Sequence, residues 1–212
     1  MFVSVQTSLF ALDADPSSDA PSPLDQLISR QPLGRGAWVD LLPGWLPGSP
    51  DLLDRLLTDV PWHAERRQMY ERVVDVPRLL SFYDGPDRLP HPELDQARDA
   101  LNAHYRSELG ESFVTAGLCL YRDGQDSVAF HGDTIGRARS EDTMVAIVSF
   151  GSPRQFLLRP RGGGATIRHR LGHGDLIVMG GSCQRTWEHA IPKTSASVGP
   201  RVSVQFRPAG VR

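Results

Sequence analysis

Two side chains that can bind a metal lie two positions apart in the segment SVAFHGD, residues 127–133. His131 offers an imidazole nitrogen and Asp133 a carboxylate, directly after an apolar run. In a β-strand, residues i and i+2 point to the same face, so both could reach one ion, and Gly132 between them adds no bulk. Alone the pattern is a weak signal, because a surface histidine bonded to its neighbour has the same spacing.

A third ligand has to come from a distant part of the chain. His189, in the strand-like segment RTWEHAIPK, is the candidate. Two histidines and one carboxylate on one face of a metal leave the other positions open, which is the arrangement of non-haem Fe(II) oxygenases. The alternative interpretation of His189 is a core histidine whose hydrogen bonds are satisfied.

The C-terminal segment GPRVSVQFRP alternates polar and apolar residues. This alternation predicts a strand with an apolar face and a polar face, and the polar face carries Arg201 and Arg207. The planar fork of an arginine holds a carboxylate through two parallel hydrogen bonds, so an arginine beside a metal site suits a dicarboxylate. Without a metal site, both would be edge-strand arginines that face water.

Composition sets the class of protein. At 212 residues the chain fits one domain, and 40% hydrophobic with 23% charged residues is ordinary for a globular protein. A net charge of −2 argues against a globally basic nucleic-acid binder. We expect no membrane span, because no apolar run approaches roughly 20 residues, and no secretion signal. Two cysteines cannot form a disulfide framework, so we expect a reducing, cytoplasmic setting.

The elements that would position these residues follow from spacing and punctuation. A short helix is expected over about 51–58, and apolar spacings of three and four predict a longer one in HPELDQARDALNAHYRSELG, ended by Gly110. Six strand-length runs follow Gly110 and suggest an antiparallel sandwich or barrel. The predicted class is therefore α+β, with the helices buttressing one face of the β-core. The runs are FVTAGLCLYR, TMVAIVSFG, RQFLLRP, ATIRHRL, DLIVMGG and RVSVQFR.

Five segments, taken in order, resemble the AlkB family of Fe(II)/2-oxoglutarate dioxygenases. The resemblance spans roughly residues 60–208 and leaves the first 35 or so unexplained. We therefore expect a variable, partly flexible segment over 1–35, Pro/Ser-rich at 13–23, and a dioxygenase domain over 36–212. The fold implied is a double-stranded β-helix, or jelly roll. The segments are PRLLSFYDG, LCLYRDGQDSVAFHGD, VSFGSPRQFLLRP, GHGDLIVMGGSCQRTWEHAIPK and GPRVSVQFRP.

The resemblance implies a role for each matching residue. It makes His131, Asp133 and His189 the iron ligands. It assigns Arg201 to the far carboxylate of 2-oxoglutarate, Arg207 to its metal-bound end and Tyr121 to a hydrogen bond with this cosubstrate. With O2, the family converts 2-oxoglutarate to succinate and CO2 and hydroxylates a C–H bond. That bond is usually an N-methyl on a damaged base, and the product collapses to formaldehyde and the restored base.

Three positions depart from the family pattern. Cys119 and Ser203 stand where Asn is common, so we expect a looser cosubstrate site. Ile135 stands where base-repairing members usually carry Asp or Glu. An apolar side chain accepts no hydrogen bond from an exocyclic amine and compensates no positive charge on a methylated base.

Candidate substrate residues lie where the family places part of its nucleotide-recognition lid. Besides Ile135, they are Met69, Tyr70 and Tyr83, and an extruded base would stack on such a surface. Packing in the core beneath the lid is the alternative for Tyr83 and its neighbour Phe82.

The function expected first is oxidative demethylation of alkylated DNA or RNA by a monomer. The second is the same chemistry on a protein side chain or small molecule, which Ile135 favours. The third is a non-catalytic jelly roll that binds metal, which the complete ligand set disfavours.

Overall fold

The computed structural model describes Pro21, Leu24 and residues 28–69 and 72–211, and the side chains of residues 66–75 lie outside that description. Most of the expected N-terminal segment, including most of the Pro/Ser-rich run, falls outside the described residues. The boundary expected at residue 36 stays a prediction. Within the described part of the chain, no helix combines the length and apolar character needed to span a bilayer.

Strands make up most of the described fold. All six runs predicted after Gly110 form strands (β5, β7, β8, β9, β10 and β12 below). Of six further strands, the two that carry His131 and His189 were treated as strands in the sequence argument, and the four before the long helix were not predicted. The strands are Ser29–Gly34 (β1), Ala37–Leu42 (β2), His63–Met69 (β3), Arg72–Tyr83 (β4), Phe113–Tyr121 (β5), Val128–His131 (β6), Val145–Gly151 (β7), Arg154–Pro160 (β8), Ile167–Leu171 (β9), Leu176–Gly181 (β10), Trp187–Ile191 (β11) and Arg201–Pro208 (β12).

The strands form two antiparallel sheets. The larger has eight strands in the order β1-β2-β10-β7-β12-β5-β4-β3, and the smaller has four in the order β6-β11-β8-β9. Neighbours in the sheet are often distant in the chain, as with β12 between β7 and β5. This arrangement confirms the predicted double-stranded β-helix, with helices packed on one side.

Both predicted helices are present, at Leu52–Thr58 (α1) and Pro92–Leu109 (α2). As predicted, α2 ends at Gly110, which adopts a left-handed φ of 79° that glycine reaches without steric cost. A third, very short helix, Cys183–Thr186 (α3), precedes β11.

Each face of the large sheet has its own core. On one face, the apolar sides of α1 and α2 pack against Val202, Val204 and Phe206 of β12. On the other face, Ile147 of β7 and Ile177 of β10 belong to a second core between the sheets. Because β7 is covered on both faces, its sequence is apolar at nearly every position. The polar side of β12 therefore points into the space between the sheets, where the candidate site lies.

Candidate active site

The three expected metal ligands meet at one point. One possible ligand atom from each of His131, Asp133 and His189 lies within 4.8 Å of the others. β6 and β11 pair so that His189 lies opposite His131, which places the two rings 4.3 Å apart between centroids. Sheet pairing therefore brings together histidines that are far apart in the sequence.

Asp133 reaches the group by a different route from the one expected. β6 ends at His131, so Asp133 follows the strand instead of sharing its face, and the i, i+2 argument is wrong in that detail. The chain turns, yet Asp133 Oδ1 lies 3.7 Å from His131 Nε2. A Cβ on Gly132 would lie only 2.4 Å from the backbone oxygen of Gln184, so glycine permits the close approach to α3.

Both histidines can present a nitrogen lone pair. His131 Nδ1 lies 2.9 Å from the carbonyl oxygen of Ala129. Because a carbonyl only accepts, Nδ1 carries the proton and Nε2 is left for a metal. Burial, together with the charge of His131, lowers the pKa of His189 to about 3, so its ring is neutral near pH 7. Phe156 stacks on His189, with 5.4 Å between ring centroids.

Asp133 is held by groups from two other elements, one at its carboxylate and one at its backbone N–H. Arg207 donates to its Oδ2 from Nε at 2.9 Å and from Nη2 at 2.8 Å. Gln184 accepts from the Asp133 backbone N–H at 2.9 Å. Burial alone would raise the pKa of Asp133, but the charge of Arg207 and the nearby histidines outweigh it and lower the pKa, so the group stays ionised. Arg207, which the sequence placed near the cosubstrate, thus also orients the Asp133 carboxylate, one of the three candidate metal ligands.

Arg201 is a buried cation with unused donors. Its side chain is 1% exposed, and Nη2 donates to Ser149 Oγ at 2.7 Å. Nε and Nη1 are buried and have no hydrogen-bond partner among the described residues. Its guanidinium lies 5.3 Å from the centre of the Tyr121 ring. Two unsatisfied donors on a buried guanidinium suit a carboxylate, so this site fits the dicarboxylate predicted from the sequence.

The two departures beside Arg201 share one neighbour. The side-chain amide of Gln205 donates to Cys119 Sγ at 3.2 Å and to Ser203 Oγ at 3.1 Å. The oxygen of the same amide accepts from Arg207 Nη2 at 2.7 Å. Gln205 thus connects Cys119 and Ser203 to the arginine that holds Asp133.

A cavity of about 490 Å³ opens over these groups. Phe82 and Ile135 line it and are 39% and 64% exposed. Tyr83 does not line it and packs towards the helix-side core, because consecutive strand residues point to opposite faces. Of the other two substrate candidates, Tyr70 and the side chain of Met69 lie outside the described residues.

Sequence reasoning missed several residues of the cavity wall. Arg78 and Leu80 of β4 line the cavity, and they alternate with Phe82, which the sequence had offered as a stacking surface and which lines the cavity as well. The period of two in PRLLSFY could have identified them had β4 been recognised as a strand. Glu65 of β3 lines the cavity as well. No sequence pattern could have identified Gln184, because its contact with the backbone of Asp133 joins residues that are distant in the chain.

Comparison with known proteins agrees with this geometry. The sequence profile of the 2OG-Fe(II) oxygenase superfamily matches residues 41–207, and the chain belongs to that family. Enzymes of the family use Fe(II), 2-oxoglutarate and O2, the set that these residues fit.

Named relatives place the chain on the AlkB-like branch. It is 31% identical over 201 residues to the alpha-ketoglutarate-dependent dioxygenase alkB homolog 3 of Bos taurus and to that of Homo sapiens, covering 85% of this chain and 68% of each relative. It is 26% identical over 238 residues to the DNA oxidative demethylase ALKBH2 of Arabidopsis thaliana, covering 95% of this chain and 74% of the relative.

Among solved structures, OsALKBH1 superposes with a TM-score of 0.59 at 15% identity, over 84% of this chain and 99% of that one. This likeness supports the fold.

Proposed function

We propose that this dioxygenase removes N-methyl groups from alkylated bases in DNA or RNA by oxidation. The observation that carries the proposal is the meeting of His131, Asp133 and His189 beside Arg201, a buried guanidinium with unused donors. They share a cavity whose volume lies in the range of small-molecule sites. The relative named a DNA oxidative demethylase supports nucleic acid as the substrate.

In this proposal each group of the chain has one task. His131, Asp133 and His189 hold Fe(II), and Arg207 keeps the Asp133 carboxylate ionised and aimed at the metal. Arg201 binds the far carboxylate of 2-oxoglutarate. The Tyr121 ring lies near Arg201, and burial raises the pKa of its hydroxyl, so it would stay a proton donor and could donate a hydrogen bond to the cosubstrate.

Cys119 and Ser203 supply weaker polar contacts at the cosubstrate wall than amides would. The looser cosubstrate site expected from these two residues stays a prediction.

Iron and cosubstrate, when bound, would supply the oxidation: one oxygen atom of O2 would enter succinate as CO2 leaves, and the other would enter the substrate methyl C–H bond. The resulting N–CH2OH group would lose formaldehyde as the N–C bond breaks, its electron pair staying on the ring nitrogen and the hydroxyl proton passing to that nitrogen or to water. The chain positions the reactants and lines the cavity with Phe156, Leu80 and Ile147, which limit water around the reacting atoms.

A second candidate is the same oxidation on a protein side chain or small molecule. The exposed, apolar Ile135 at the mouth favours it, because this position offers no polar group to a base. The two candidates differ in whether methylated nucleic acid stimulates turnover.

The test is formaldehyde and succinate release from single-stranded DNA and RNA that carry one methylated base each. The proposal expects both products in equal amounts, and none from the variants His131→Ala and Asp133→Ala. His104→Ala is the matched control, because His104 lies on α2 and packs on Tyr105 outside the cavity lining. Succinate without formaldehyde on every methylated oligonucleotide would overturn the demethylase and leave the second candidate.

We further propose a cytoplasmic monomer. Cys119 and Cys183 are both buried free thiols, which suits a reducing compartment. Sedimentation of the purified protein tests the monomer.

A further inference from the structure

We propose that the cavity prefers methylated bases that stay uncharged and carry a carbonyl oxygen over bases that methylation makes cationic. The inference rests on the proposed function and names the substrate class of the same site. It is based on the charged side chains among the described residues that line the cavity.

The described residues of the cavity wall carry more positive than negative charge. Three arginines line it, Arg78, Arg201 and Arg207, against two acids, Asp133 and Glu65. Asp133 is already engaged by two donors of Arg207. A ferrous ion and a doubly charged cosubstrate would add no net charge between them, so the positive charge of Arg201 also remains, with its donors turned to the cosubstrate carboxylate. Of the described charged side chains on this wall, Arg78 and Glu65 are the two without a part in the proposed metal and cosubstrate sites.

Arg78 has donor capacity to spare. Its Nη1 reaches the Ser127 carbonyl oxygen only at 3.4 Å, and its Nε is buried with no hydrogen-bond partner among the described residues. An unsatisfied donor on a cation favours a carbonyl oxygen and repels a positively charged ring.

Glu65 does not reverse this balance. It lies on β3 with an exposed side chain, whereas Arg78 is half-buried. The charge of Glu65 helps to raise the pKa of Arg78, so the two groups attract each other. Water screens an exposed carboxylate that already faces a cation. Such a carboxylate therefore attracts a cationic base more weakly than a buried carboxylate would.

The two described side chains at the mouth of the cavity, Ile135 and Phe82, carry no negative charge. Ile135 is apolar and 64% exposed, so it can cover a neutral ring but cannot compensate a charged one. Phe82 is a stacking surface, and stacking tolerates any base. A cationic base would therefore lose water at the mouth without gaining a counter-charge.

The experiment compares bases matched in size within one single-stranded DNA sequence. The purine pair is 1-methylguanine, which is neutral, and 1-methyladenine, which is cationic; the pyrimidine pair is 3-methylthymine and 3-methylcytosine. We expect kcat/KM for formaldehyde release to favour the neutral member of each pair by about tenfold or more. That ratio corresponds to the Coulomb repulsion between two unit charges about 10 Å apart at an effective dielectric constant of about 20. Affinity for the same oligonucleotides, measured by fluorescence anisotropy without iron, should follow the same order.

Two variants separate charge from shape. Ile135→Glu should narrow or reverse the preference, and Ile135→Gln, of the same size and without charge, should keep it. A wild-type preference for the cationic bases, or equal effects of the two variants, would overturn the inference while demethylation stands. No formaldehyde from any of the four oligonucleotides would overturn the proposed function, and the inference with it.

Discussion

The contact between Arg207 and Asp133 gives the most demanding prediction, that Arg207→Met destabilises the metal-free protein but increases its response to metal. Arg207 and Asp133 are only 8% and 6% exposed. Removing one partner of such a pair leaves a buried charge without compensation, which costs about 3–5 kcal/mol. For a chain of this length that corresponds to a fall in Tm of roughly 6–20 °C.

A divalent cation should recover part of this loss, because its charge replaces that of the guanidinium beside Asp133. The rise in Tm on adding Mn(II) should therefore be larger in Arg207→Met than in the wild type, as measured by calorimetry under anaerobic conditions. The double variant Asp133→Asn/Arg207→Met should be more stable than Arg207→Met, since it leaves no uncompensated charge at this pair of positions.

The matched control is Arg159→Met. Arg159 pairs with Glu188 at 3.0 Å, but its side chain is 36% exposed, so its loss should cost less than about 1 kcal/mol. If Arg207→Met melts with the control, or if Mn(II) raises both melting points equally, the assigned role of Arg207 is wrong.

Three further predictions concern positioning and pH. Gly132→Ala should weaken Mn(II) binding about tenfold or more in titration calorimetry, because the new Cβ meets a backbone oxygen at 2.4 Å. Gly85→Ala, whose new Cβ would have contacts no closer than 3.7 Å, should leave the Mn(II) affinity unchanged. Gln184→Leu should cost about 1–3 kcal/mol in urea unfolding, because a buried N–H loses its acceptor; an unchanged midpoint would contradict this. Burial raises the pKa of Asp126, but the hydrogen bonds from Arg122 lower it by more, so the net pKa of this carboxyl lies below its ordinary value. The ionised carboxylate therefore stabilises the folded protein above the ordinary pKa, and this stabilisation disappears as the pH falls. Asp126→Asn should therefore lower Tm at pH 7 and lower it less below about pH 4; a difference in Tm that is constant with pH would refute it.

Much of the fold could be predicted because local patterns announce it. The spacing of Leu94, Ala97 and Leu101 in α2 and the left-handed Gly110 after it are properties of neighbouring residues. The buried strands β5, β7 and β10 have apolar residues at most positions because both of their faces are covered. Among the earlier strands, β3 gives no such signal: HAERRQM is a polar strand at the edge of the large sheet, and its backbone bonds to β4 decide its structure.

The candidate site divides in the same way. Sequence alone determined which side chains can donate to a metal or a carboxylate, and the alternation of β12 placed Arg201 and Arg207 on one face. Only the tertiary structure decided that Asp133 approaches the two histidines from beyond the end of β6 and that Arg207 holds its carboxylate. It also decided that Phe82, and not Tyr83, faces the cavity. The reason is physical: donor chemistry and strand periodicity are local properties, whereas contacts between distant residues depend on which strands pair and in what register.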